Sequence, residues 1–385
     1  MKKVGLVMCY KTKNYGSMLQ SFALQRFFIR KEIPFECVNY NHKKDFFDSL
    51  RKFPLLLIKS ARTMKFRVMK NALMTKYFVS NDLKLKKNMR TQKFIEFCTK
   101  RFFVTDEINS RAGLIQRSKN YKCVVVGSDQ VWHPINYGTH FYDLTWVDPS
   151  VPKYAYASSF GVSKVPLLIR RGVKKALKSF EKITCREKTG AKIVTELTGK
   201  SADSLLDPTL LWSSNDWDEM LALEKLRTKK EPYIFCYFLG NSPECYDFAQ
   251  SLKQRTGYKI ISPVLLDGYY SEALKFGDEH PFDVGPADFV WFVKNADYVL
   301  TDSFHGTVFS LLYKKKVRIF ERYKDPKISA NSRIMDLLKL LGISDYKLSI
   351  DELMKNDPIG LNVNQYLEKE RQKAFDYLSE IVYAN

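Results

Sequence analysis

Hydrophobic residues in this chain fall into short continuous runs separated by stretches of helical spacing. Residues 4–10 (VGLVMCY) form one such run, too short for a buried helix and suited to a strand covered on both faces. A turn at Asn14-Tyr15-Gly16-Ser17 follows. Leu19, Phe22, Ala23 and Phe27 then recur at helical spacing, and PFECVNYN reads as a second strand. Strand, helix, strand predicts a parallel pair joined by a crossover. The pattern resumes at YKCVVVGSDQVW, where Cys123 to Val126 is another continuous run, and YAYASSFG (154–161) and KITCREKTG (182–190) read as further strands.

Around LDPTLLWSSNDW (206–217) a proline and a Ser-Ser-Asn cluster read as a linker, after which the alternation begins again. YIFCYFLG (233–240) is a strand, 243–256 a helix, YKIISPV (258–264) a strand and PADFVWFVKNA a helix. DYVLTDSFHG is a strand and turn, followed by a helix from about His305 to Tyr313 and a short strand, VRIFER (317–322). The tail from Asn364 to Ala384 is helical, with Leu367, Ala374, Leu378 and Ile381 on one side. The expected fold class is α/β, with two Rossmann-like parallel-sheet domains facing a cleft. The expected division is 1–208, 209–355 and a C-terminal helix, 356–385, crossing back onto the first domain. A length of 385 residues, beyond one ordinary core, agrees with this.

Charge adds one feature. The net charge is +21, and residues 51–93 carry thirteen Lys or Arg against the single acid Asp82. Leu57, Ala61, Met64, Val68 and Ala72 recur there at helical spacing, with Lys59, Arg62, Lys65, Arg67 and Lys70 between them. A basic amphipathic helix of this kind suits an anionic membrane surface, the plain alternative being a solvated face. Nucleic acid could use the same charge, but no recognition motif accompanies it and no such partner is expected. The seven cysteines stand singly, without a CxxC pair, which points away from zinc and disulfides and toward a reduced compartment. No apolar run approaches the length of a membrane span, and the first lacks a cleavage site. A cytoplasmic protein is expected, at most peripheral at the inner membrane face.

In open parallel sheets ligands bind beyond the carboxyl ends of the strands. That rule selects four loops: Asn14 to Ser17, Gly127 to Gln130, Cys185 to Lys188, and Thr301 to Thr307. The first has one glycine and is no phosphate-binding fingerprint; a plain tight turn is the alternative. Asp129 could orient or deprotonate a hydroxyl, or the loop could simply cap a helix. Arg186 could fork onto a carboxylate or phosphate, or pair locally with Glu187. In the last loop Asp302 and Ser303 can cap a helix, Gly306 admits a ligand close to the backbone, and His305 adds an imidazole, a residue type suited to proton transfer. Asp129 and His133 lack a third partner, so no metal site is indicated. His42, His140 and His280 lie in polar loops.

The segments NYGSMLQSFALQ (14–25), VVVGSDQVWHP (125–134), YAYASSFG, CREK (185–188), LLDPTLLW (205–212), VGPADFVWFVKNADYVLTDSFHGTVFS (284–310) and NSRIMDLLKLLGI (331–343) together resemble the polysaccharide pyruvyl transferase family. The resemblance implies a fold similar to the GT-B glycosyltransferases. It implies phosphoenolpyruvate as donor substrate, with no further cofactor, and a saccharide acceptor, often lipid-linked, in capsular or exopolysaccharide biosynthesis. The product is a cyclic pyruvate ketal, commonly across positions four and six of a hexose. Arg186 and His305 map onto the donor site, with His305 as general acid. Ser303, Gly306, Thr307 and Arg333 are expected to join the donor side, the amides of Gly306 and Thr307 serving the donor's anions. Asn14, Tyr15, Gly16, Ser17, Asp129 and Gln130 are expected on the acceptor side. Two departures stand out: His133, where relatives more commonly have Asn, and Ser303, where some have Arg. Arg333 and Arg318 are the candidates to supply that cation. The alternatives are a GT-B glycosyltransferase using a nucleotide sugar and a non-enzymatic basic membrane-surface adaptor.

Overall fold

The computed structural model describes residues 2–41, 81–226, 228, 231–240, 242–263, 276–322 and 332–383. The basic amphipathic helix expected around residues 57–72 lies outside the described residues. Two parallel sheets form the frame. The first is six-stranded, in the order β2-β1-β3-β4-β5-β6: β1 (Lys3–Val7), β2 (Phe35–Cys37), β3 (Tyr121–Val126), β4 (Lys153–Ser158), β5 (Lys182–Cys185) and β6 (Asp203–Ser204). The second is four-stranded, β10-β9-β7-β8: β7 (Tyr233–Tyr237), β8 (Lys259–Ile261), β9 (Tyr298–Thr301) and β10 (Lys316–Ile319). Val7 pairs with Val126 in one sheet and Tyr237 with Thr301 in the other, so the loops after these strands emerge side by side.

Helices cover the sheets, and this is why the central strands are apolar on both faces: β7 is buried along its whole length. The first helix, α1 (Tyr15–Arg30), starts at an Asn14 cap and buries nearly all of its residues. Then come α2 (Asn81–Arg101), α3 (Arg111–Ser118), α4 (Leu167–Lys178), α5 (Lys188–Thr198), α6 (Ser214–Leu221) and α7 (Pro243–Thr256). The last five are α8 (Pro286–Asn295), α9 (Phe304–Leu312), α10 (Ser332–Leu340), α11 (Ile350–Lys355) and α12 (Val363–Tyr383).

One apolar cluster runs across both sheets. It includes Leu6, Leu19 and Phe27 beside Phe235, Phe289 and Phe309. Tyr15 is a joint in it: the ring stacks on Phe289 at 4.8 Å and the hydroxyl donates to the Val284 carbonyl at 3.2 Å. A buried aromatic in such a position contributes roughly 2–3 kcal/mol. The C-terminal helix α12 crosses back onto the first sheet, where the Tyr377 hydroxyl donates to the Ala155 carbonyl at 2.8 Å.

The segment read from sequence as a linker does join the two sheets, but as ordered, buried chain rather than a loop. Pro208–Leu211 forms a tight 3-10 turn, α6 follows behind a Ser213–Asp216 capping box, and Leu210, Leu211 and Trp212 are buried. Its proline and serines are helix-start signals here, since the same residue types serve caps and loops.

Candidate active site

In each sheet the chain lays its second strand on one side of the first and then crosses to the other side. The switch points therefore lie between β1 and β3, and between β7 and β9. The four loops chosen from sequence lie at or beside these places. At the second switch point, Asp302 accepts hydrogen bonds from the Leu239 and Gly240 amides, both at 2.7 Å, and locks the two loops together. At the first, Ser17 donates a short hydrogen bond to Asp129, whose other oxygen accepts from the Gln130 amide at 2.8 Å. Asp129 is held at φ 80°, an unfavourable conformation for a non-glycine residue, because its carbonyl is fixed by the Ser159 amide at 2.9 Å.

The two switch points meet at His305. Gly16 lies so close to the imidazole that an added Cβ would fall 1.9 Å from Nδ1, so only glycine admits the ring there. The other ring nitrogen, Nε2, is 3.7 Å from Asp207, beyond hydrogen-bond distance. His305 is not the helix cap: Ser303 caps α9, its Oγ accepting from the Gly306 amide. The histidine is therefore free of any role in starting the helix.

Behind it lies a buried ionic network. Arg186 Nη1 donates to Asp207 at 2.9 Å, and Nη2 is 3.7 Å from Asp129. Asp207 also accepts from Ser128 Oγ at 3.0 Å and from the Thr209 amide and hydroxyl at 3.0 and 2.7 Å. Burial by itself would raise the Asp207 carboxyl, but His305, Arg186 and these hydrogen bonds outweigh it and hold the group far below the usual carboxylate range. Asp129 is likewise lowered: burial opposes, and Arg186, His305, Ser17 and the Gln130 amide prevail. Arg186 is raised despite its burial, by Asp207 first and Asp129 next. The local pairing of Arg186 with Glu187 does not form the site; Glu187 instead accepts from Ser159 Oγ and the Phe160 amide.

The network opens into a cleft of about 400 Å³ whose lining includes Arg186, Lys188, Asp207, Phe304, Arg333 and Lys373. The Arg186 guanidinium lies 4.9 Å from the Phe304 ring centre and that of Arg333 lies 6.0 Å from it. Burial, with Arg186 close by, lowers the Arg333 guanidinium. Arg186 Nε and Nη2, Arg333 Nε and His305 Nε2 are buried and have no hydrogen-bond partner among the described residues. Buried donors converging without acceptors are suited to an anion that brings its own oxygens.

The family model for polysaccharide pyruvyl transferase matches residues 14–323, most of the chain. The chain belongs to the polysaccharide pyruvyl transferase family. Comparison with curated proteins finds no match. Among solved structures, an S. aureus MnaA–UDP co-structure superposes with a TM-score of 0.52 at 11% identity, covering 100% of this chain and 96% of that one. A UDP-GlcNAc 2-epimerase from Neisseria meningitidis bound to UDP-GlcNAc gives 0.49 at 9% identity, covering 98% and 100%. At 11% identity the first likeness is one of fold alone, a GT-B-like pair of parallel sheets.

Against this family frame the sequence-selected residues sort clearly. Arg186, His305, Asp129, Ser17 and Gly16 converge, and Arg333 joins them across Phe304. Tyr15 does not: it is a core residue, drawn inward by the aromatic joint with Phe289. Asn14 is occupied as the α1 cap, accepting from the Ser17 amide at 3.2 Å, and the Gln130 side chain packs against Gly161. The Gly306 and Thr307 amides are not open to a ligand, because Ser303 accepts from both within the first turn. Among the described residues, the first-turn amides of α9 without an acceptor are those of Phe304 and His305. Ser303 is consumed by this capping. Arg318 is displaced from the site: it lies over Phe248 and Phe320 and beside Glu244. Asp207 and Phe304 were missed as site residues although both stand inside the recognised segments. Asp-Pro reads locally as a turn cap, which Asp207 also is, and Phe304 reads as core.

Proposed function

We propose that this protein transfers the pyruvyl group of phosphoenolpyruvate onto two hydroxyls of a sugar, giving a cyclic pyruvate ketal in capsular or exopolysaccharide biosynthesis. Family membership supports pyruvyl transfer. The observation that carries the donor is the set of buried, unpartnered guanidinium nitrogens of Arg186 and Arg333 beside His305. Phosphoenolpyruvate bears a carboxylate and a phosphate, which are the acceptors such donors lack.

In this reading the donor lies in the cleft with its anionic groups on Arg186, Arg333 and the first-turn amides of α9. His305 protonates the methylene carbon, and positive charge develops at the adjacent carbon, where the Asp207 and Asp129 carboxylates, both held ionised, stabilise it. An acceptor hydroxyl oriented by Asp129 and Ser17 bonds to that carbon and passes its proton to His305, restoring the acid. The carbon–oxygen bond to phosphate then breaks, and the second hydroxyl closes the ketal as its proton leaves on the phosphate. One phosphoenolpyruvate and two hydroxyls thus give one ketal and inorganic phosphate, with atoms and charge balanced. Arg186 holds the carboxylates apart and fixes the geometry.

The proposal extends to a lipid-linked acceptor, with the basic segment 51–93 in contact with anionic lipid at the inner face of the membrane. Among the described residues no helix is long and apolar enough to cross a membrane. The test is phosphate release from phosphoenolpyruvate across a panel of free and lipid-linked mono- and disaccharides, with a thermal-shift comparison of phosphoenolpyruvate and nucleotide sugars. Stabilisation by phosphoenolpyruvate and acceptor-dependent phosphate release are expected. Stabilisation by a nucleotide sugar alone would transfer the assignment to a glycosyltransferase.

A further inference from the structure

Helix α4, on the first sheet, has a face that the fold does not use. Its inward stripe, Ile169, Ala176 and Leu177, is buried. Its first two residues stand outside that stripe and are the most exposed large hydrophobic residues described, Leu167 at 86% and Leu168 at 71%. One turn further on, the same ridges become cationic. Arg170, Arg171, Lys174, Lys175 and Lys178 are all exposed, as is Lys164 just before the helix. No acid lies in the sequence between Asp148 and Glu181, and no ion pair engages any of the six cations among the described residues. Two solvent-facing leucines followed by unpaired cations fit no requirement of the core. They complement a surface with apolar depth beneath a layer of phosphates.

The placement gives this face a direction. Helix α4 connects β4 to β5, which run parallel, so it runs against the strands and its first turn lies at their carboxyl edge. Asp129 and Arg186 stand on that same edge. Gly161, which carries the Gln130 side chain against its backbone, is six residues from Leu167, a span of at most about 20 Å.

We propose that α4 is a membrane-docking element, in which Leu167 and Leu168 enter the headgroup region of an anionic bilayer and the cations behind them bind its lipid phosphates. Docking in this way places the carboxyl edge of the first sheet, and with it the mouth of the site, near the lipid surface. The leucines decide against a free polyanion such as nucleic acid or an acidic polysaccharide, to which they would add nothing.

The test is co-sedimentation of the full chain with phosphatidylcholine vesicles, with and without about 30% phosphatidylglycerol. Binding is expected only to the anionic vesicles. Replacing Arg170, Arg171, Lys174 and Lys175 together by Gln should lower the partition coefficient at least about tenfold, and Leu167→Ser with Leu168→Ser about tenfold. Both variants should keep the circular dichroism of the parent and its turnover on a water-soluble acceptor. Three vesicle results would overturn the proposal: no preference for anionic vesicles, parental binding by both variants, or loss in the cation variant with none in the leucine variant. The last would identify a polyanion surface. Oligomers dispersed by the leucine substitutions, with vesicle binding unchanged, would reassign the face to self-association. Vesicle binding is read without turnover, so its failure is distinct from failure of the donor assignment.

Discussion

Gly16→Ala tests the meeting of the two switch points with a single methyl group. Gly16 sits in the first turn of α1 with no positive φ, so alanine suits its backbone and should favour the helix by up to about 1 kcal/mol. The conflict is one of space. The new Cβ would fall 1.9 Å from His305 Nδ1, 2.4 Å from Cγ and 2.6 Å from Cε1. Restoring an ordinary contact near 3.5 Å requires about 1.5 Å of relative motion. The ring is confined by Asp207 on its far side, and overpacking of this kind costs about 1–3 kcal/mol. With the helix gain set against it, the net loss of stability is about 2 kcal/mol or less, and the protein should fold. Catalysis should suffer far more, because a displacement of about 1 Å at a reacting group can cost a hundredfold. The assay is initial-rate phosphate release from phosphoenolpyruvate, paired with a thermal melt. A melt within a few degrees of the parent with turnover down about a hundredfold is the expected pair. Turnover within about threefold of the parent would refute the reasoning, since the ring would then have no need of its observed position.

His305→Ala should keep the melting temperature and lower turnover by roughly a hundredfold or more, measured by the same phosphate assay; near-parental turnover would remove the histidine from the mechanism. Arg333→Gln should weaken phosphoenolpyruvate binding by about tenfold or more in a thermal-shift titration while leaving acceptor binding unchanged, because it removes a buried donor on the cleft wall. Asp207→Asn should lower stability at neutral pH by about 3 kcal/mol, since it leaves the buried Arg186 without its nearest counter-charge. The pH dependence has a definite sign. The native Asp207 carboxyl lies below its ordinary 3.8, so its contribution is complete above about pH 4 and is lost as pH falls toward the native value. The gap between parent and variant in urea midpoint should therefore narrow below pH 4; a gap constant from pH 7 to pH 3 would contradict the ionised assignment.

Much of this molecule was written in local pattern. Strands such as Cys123 to Val126 and helices such as Pro243–Thr256 follow from runs and spacings that a chain segment carries without help. Strand-to-helix turns identified the loops that carry His305, Arg186 and Asp129, because parallel sheets place ligands at strand carboxyl ends whatever their partners are. Partnership was beyond that reach. The same short polar motifs serve as caps and as ligands, so Asp207 read as a turn residue and Tyr15 as a loop residue. Arg186 pairs with Asp207, 21 residues away, rather than with adjacent Glu187, and Ser17 meets Asp129 across 112 residues. Sheet order and register bring these groups together, and no sequence distance encodes them. Tertiary packing likewise settled which arginine faces the cleft and which leucines of α4 the core leaves to solvent. A sequence states what each residue can donate or accept; only the folded chain decides which of those capacities are spent internally and which remain for a substrate.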